Sequence, residues 1–133
     1  MSIVIVDTNV MLRFLLQDDM EQTKVVLDVL QNADKVVISV HSMCEIVWVL
    51  QRGYKIAKNE VAILIHTLLG IPNLYVDRQT IVAGLRLLEL GGDFSDGVIA
   101  YDGFALGGQK FVSFDKKAIK LLALQGYQVH LLS

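Results

Sequence analysis

The chain has 133 residues, with 12 Lys and Arg against 14 Asp and Glu, a formal charge of −2 and a mean hydropathy of +0.50. That length supports one domain whose core needs no disulfide or structural metal. The single cysteine, Cys44, excludes an internal disulfide and any cysteine-based zinc site. The slight negative charge does not announce a nucleic-acid binder through bulk electrostatics, so a phosphate partner needs a local patch or a metal ion. No run reaches the roughly 18 apolar residues of a membrane span, and the start lacks a basic leader, so a cytoplasmic protein is expected. An apolar share of 53% points to a buried subunit or partner interface.

Ile3-Val4-Ile5-Val6 is a continuous β-branched run that ends in Asp7-Thr8-Asn9. Unbroken apolar runs of this kind belong to strands buried on both faces of a parallel sheet, and ligands of such sheets bind beyond the strands' carboxyl ends. Val10 to Leu16 follows as a short helix carrying Arg13, and Asp18 or Asp19 caps the next, with Val25, Val26, Leu27, Val29 and Leu30 on its apolar side. Val36 to Val40 is a second buried strand. Ser42 opens a helix over Met43 to Leu50 that is apolar nearly all round except for Glu45. After a break at Gly53, a helix runs from about Asn59 to Leu69 and is stopped by Gly70 and Pro72. Leu74 to Val76 is a short strand, followed by a helix through Ile81, Leu85 and Leu88 that ends at Gly91-Gly92. Asp93 to Ala100 is a helix start with two acids three apart. Phe111 to Phe114 is a strand ending in Asp115, Lys116 to Leu124 a helix, and Tyr127 to Leu132 the last strand. This alternation predicts a three-layer α/β/α domain with a mainly parallel central sheet and no linker or repeat.

Asp7, Glu45, Asp96 and Asp115 end strands or interrupt apolar surroundings, with Asp93 a fifth candidate. Each has a plain structural alternative. Asp7, Asp93 and Asp115 sit where helix caps are expected, Asp96 fits the third helical position of a capping box, and Glu45 has Arg52 two turns away. Glu45 favours function, since a buried unpaired charge costs on the order of several kcal/mol. Taken jointly, Asp7 and Asp115 are expected to end neighbouring strands, with Glu45 and Asp96 in the first turns of helices at the same rim. Crowded carboxylates raise one another's pKa unless a cation lies among them, and an all-oxygen set suits Mg²⁺ or Mn²⁺. His41, His66 and His130 lack ligand spacing and read as structural. No phosphate-binding glycine motif or hydrolase triad is present, and Cys44 reads as core.

Val6-Asp7-Thr8-Asn9-Val10, Ser42-Met43-Cys44-Glu45-Ile46, Asp93 to Ala100 and Ser113-Phe114-Asp115-Lys116-Lys117, in that order, resemble the PIN-domain ribonucleases, most closely the VapC-type toxins of toxin–antitoxin pairs. The resemblance implies a single PIN domain over residues 1–133. It further implies a metal-dependent endoribonuclease with Asp7, Glu45, Asp96 and Asp115 as its acidic pocket, Asp93 assisting, and Thr8, Asn9 and Ser113 as polar contacts. Homodimerisation and silencing by a small antitoxin are implied as well. Gly97, where the family often has Ala, is expected to loosen the turn holding Asp96, and Asp102 puts a charge in a usually blander helix. The mechanism expected is in-line hydrolysis of single-stranded or tRNA-loop RNA with Mg²⁺, leaving a 5′-phosphate and a 3′-hydroxyl. Arg13, Lys116, Lys117 and Lys120 serve either as contacts to the RNA backbone or as solvated surface. The competing functions are a PIN fold that binds RNA or a partner without cutting, and a receiver-type phosphoacceptor, whose adjacent acids after the first strand are missing here.

Overall fold

Local chemistry sets most of the element boundaries in the computed structural model, which describes residues 2–133. Strand β1 (Ile3–Ile5) leads through Val6 into α1 (Thr8–Leu16), which Asp7 caps by accepting from Val10 N at 3.0 Å. Helix α2 (Met20–Asn32) is capped by Asp19 rather than Asp18, because the Asp18 carboxylate pairs with Arg13 at 2.9 Å. Strand β2 (Lys35–Val37) is shorter than expected. Ser39, not Ser42, opens the next helix, accepting from Ser42 N at 3.1 Å and turning the chain three residues early.

Helix α3 (Val40–Trp48) continues into a wider π-turn over Val49–Gly53, where the Tyr54 N–H reaches back to the Val49 carbonyl at 3.1 Å. Then come α4 (Lys58–Leu69), β3 (Leu74–Tyr75), α5 (Arg78–Glu89), α6 (Phe94–Ala105), β4 (Phe111–Ser113), α7 (Lys116–Leu124) and β5 (Val129–Leu131). The described strands pair as two parallel ladders, β1-β2-β3 and β4-β5, in keeping with the predicted α/β class and parallel pairing.

The chain divides into two compact units, residues 1–78 and 79–133. In the first, α1 packs against α2 and α3, and Met11, Met43, Ile46, Leu50, Ile65 and Leu68 are fully buried. β1 departs from the expected strand buried on both faces: it is the outer strand of its ladder, with Ile3 and Ile5 exposed and Val6 buried. In the second unit, α7 lies on β4 and β5, and Leu87, Ala100, Leu121 and Leu122 form a cluster joined by Phe111, Tyr127 and Val129.

Gly97 corrects the expectation of a loosened turn. A Cβ there would stand 2.6 Å from the Ala83 carbonyl oxygen, so glycine is what lets α6 approach α5 this closely. Gly84 faces the Phe94 ring in the same way, at 2.7 Å from an added Cβ. The charge of Asp102 is also accommodated, since its carboxylate accepts from the fully buried Thr80 hydroxyl at 3.3 Å. No helix among the described residues is long and apolar enough to cross a membrane.

Candidate active site

The first unit brings together residues from the end of β1 and the start of α3. Asp7 directs Oδ1 to the Val10 N–H, and Oδ2 makes no hydrogen bond or ion pair with another described residue. The adjacent Thr8 donates from Oγ1 to Glu45 Oε1 at 3.1 Å, and His41 Nε2, one turn before Glu45 on α3, lies 3.3 Å from the same oxygen. Oε1 is thus engaged from two sides and Oε2 is left open.

This geometry corrects the picture of a buried, unpaired Glu45. Its side chain is 52% exposed, and its partners are Thr8 and His41 rather than Arg52. The cost of burying a lone charge therefore does not apply to it. His41 was missed from sequence as a participant. The signal was its i,i+4 spacing from Glu45, which puts the two side chains on one helical face.

Arg13 is held rather than free. Nη1 pairs with Asp18, Nη2 donates to the Tyr54 hydroxyl at 3.2 Å, and this bond to Tyr54, with Asp18 behind it, raises the guanidinium pKa. The π-turn after α3 is what carries Tyr54 into place. Asn9, exposed in the first turn of α1, lines a cavity together with Asp7, Arg13 and Gln22.

In the second unit, Asp93 caps α6 by accepting from Ser95 N at 2.7 Å, and Asp115 caps α7 by accepting from Lys117 N at 3.0 Å and Ala118 N at 3.1 Å. Ser113, at the end of β4, accepts from the Asp115 N–H at 3.0 Å and so fixes the backbone that presents that acid. Lys116 is exposed. Asp96 stands in the first turn of α6, partly buried, and its carboxyl is pushed up to about 6 by burial first, then by the charges of Asp93 and Asp115.

Among the described residues, no three His, Cys, Asp or Glu side chains are gathered closely enough to hold a metal ion as a group. The carboxylates of each unit nonetheless suit Mg²⁺ or Mn²⁺ in their chemistry: Asp7 in the first, and Asp93 and Asp115 in the second, each use one oxygen as a helix cap and leave the other open. In the second unit Asp96 adds a disfavoured charge that a divalent cation would relieve.

Parallel strands that run into acid-capped helices define the class as α/β. The sequence model of the PIN domain family matches residues 4–123, across both units, and the chain belongs to the PIN domain family. No curated protein matches the chain.

Proposed function

We propose that this PIN domain is a Mg²⁺- or Mn²⁺-dependent endoribonuclease, the toxin of a toxin–antitoxin pair. It cuts single-stranded RNA or a tRNA loop, forms a homodimer and is silenced by a small antitoxin in the cytoplasm. The observation that supports the hydrolytic reading is Asp96: its charge is disfavoured first by burial and then by Asp93 and Asp115, and a bound cation would offset that cost.

Asp7, Asp96 and Asp115 are the residues that would hold the ion, with Glu45 and Asp93 completing the set. When bound, the ion supplies neutralisation of the phosphodiester and of the departing oxygen. The chain's own groups do the rest. Glu45, steadied through Oε1 by Thr8 and His41, uses Oε2 to orient a water and take its proton. The water oxygen bonds to phosphorus in line with the bond that breaks, and the 3′ oxygen leaves and is protonated from solvent. The products are a 5′-phosphate and a 3′-hydroxyl. Ser113 acts at one remove by fixing Asp115, and Asn9, Thr8 and Lys116 are the polar contacts available to RNA.

The test is cleavage of a mixed single-stranded RNA pool by purified protein in Mg²⁺, Mn²⁺ and EDTA, with the product ends mapped. Metal-dependent cuts bearing 5′-phosphates support the reading. Cutting that persists in EDTA, or cyclic-phosphate ends, rejects it. A second reading, a PIN fold that binds RNA without cutting it, is favoured by the lack of a three-donor group among the described residues. RNA binding without cleavage and without Mn²⁺ uptake would select it.

A further inference from the structure

Hydrolysis as described uses only Asp7 and Asn9 of the residues that line the cavity between α1 and α2 in the first unit. It has a volume of about 450 Å³, within the range of small-ligand sites, and Asp7 forms part of its wall. Val10, Val25 and Val26 give it apolar sides. The amides of Asn9 and Gln22 and the carboxylate of Glu21 also line it, and none of these side chains is hydrogen-bonded to another described residue. Arg13 lines it too, with its guanidinium plane fixed by Asp18 and Tyr54.

We propose that this cavity is a nucleobase subsite that receives one unpaired base of the RNA next to the cleaved bond and favours bases carrying an exocyclic amine. The proposal rests on the nuclease reading above. A base offers flat apolar faces to the valines and a hydrogen-bonding edge to the two amides, which match both donors and acceptors. Glu21 accepts from an amine such as that of cytosine N4, whereas the O4 of uracil meets it as a second acceptor. Glu21 repels phosphate from the cavity, and Arg13 is already paired with Asp18, so the base rather than the backbone enters. Asp7 distinguishes a base from a protein side chain as the occupant: the residue that the nuclease reading gives to the metal is in the wall, so a base seated there keeps its own phosphate beside that acid.

The experiment uses the full chain and a single-stranded RNA pool randomised over its central positions, in Mg²⁺, with the cleaved ends sequenced. The parent protein is expected to cut sites with uracil at one fixed position beside the break about fivefold less often than sites with cytosine. Glu21→Gln should bring that ratio close to one. Val25→Trp fills the cavity from a side chain that is 66% exposed, so the fold is kept, and it should erase the bias and raise KM more than it lowers kcat. A bias that is the same in the parent and both variants overturns the subsite and leaves the nuclease reading standing.

If the parent cuts nothing in Mg²⁺ or Mn²⁺, the nuclease reading fails instead. The cavity is then judged by binding of labelled 2′-O-methyl oligonucleotides with one central cytosine or uracil. Preference for cytosine that Val25→Trp removes supports the subsite, and equal binding refutes it. Loss of a protein partner in Val25→Trp, with RNA binding and base preference unchanged, assigns the cavity to protein docking and also refutes it.

Discussion

Thr8 Oγ1 donates to Glu45 Oε1 at 3.1 Å, tying residues 37 positions apart and linking the first turn of α1 to α3. Because His41 approaches the same oxygen at 3.3 Å, Glu45 has one constrained and one open oxygen. Replacing Thr8 by Val removes a donor without changing shape appreciably. Under the proposed mechanism the expected outcome is a fall in kcat of about 10- to 100-fold, the usual effect of losing a group that orients a residue of a metal site. RNA binding and thermal stability should change little, because the pair is exposed. Single-turnover kinetics with matched melting curves checks both halves.

Asp7 has two duties that substitution can separate. Asn caps a helix about as well as Asp, so Asp7→Asn should melt close to the parent while RNA cleavage falls to the level seen in EDTA. Asp7→Ala loses the cap as well and should be less stable by about 1 kcal/mol. If Asp7→Asn cut RNA at the parental rate in Mg²⁺, the proposed chemistry would be wrong.

Asp96 predicts opposite effects on stability and activity. Its folded-state pKa, pushed up to about 6 from an ordinary 3.8, means that the native protein binds the proton more tightly than the unfolded chain. The stability contributed by Asp96 without metal is therefore fully present below about pH 4 and is lost as pH rises through 6. Asp96→Asn removes that decline. Allowing for solvent screening of a partly exposed group, it should gain about 1 kcal/mol at pH 7, or roughly 3–5 °C, with the gain vanishing near pH 4. Cleavage should be lost. Calorimetry of both proteins at pH 4 and 7 in EDTA measures the gain, and adding Mg²⁺ at pH 7 should stabilise only the parent.

Gly97→Ala tests the close approach of α6 to α5. The added methyl would meet the Ala83 carbonyl oxygen at 2.6 Å, and a backbone atom cannot swing aside. Overpacking of this kind costs about 1–3 kcal/mol, against the small gain that Ala ordinarily brings to a helix interior. Urea titration would show a lower midpoint with an unchanged slope.

The fold was legible where chemistry is local. The apolar run before Asp7 marked β1, Asp93 and Asp115 marked helix starts, the pair Asp18-Asp19 marked another without deciding between the two, and Gly91-Gly92 marked the end of α5. It was less legible where one residue's surroundings depend on distant chain. Ser39 and Ser42 are equally good caps in isolation, and Glu45 looked buried because its helix reads as apolar all round, although Trp48 is 62% exposed. Gly97 was misjudged because sequence gives no view of the Ala83 carbonyl. For the candidate site, the helix-cap positions of Asp7, Asp93 and Asp115 were readable from spacing, while the division of each carboxylate's two oxygens between cap and open position was not.

That Asp7, Asp93 and Asp115 each begin a helix has a consequence for genetics. If the protein is the toxin proposed above, a screen for variants that no longer harm the host should find that changes of these acids to Asn yield inert protein at full abundance. Changes to Ala, Val or Gly should also lower protein levels by fraying the helix that each acid starts. Immunoblots of the survivors would then sort lesions of chemistry from lesions of scaffold before any enzyme is purified.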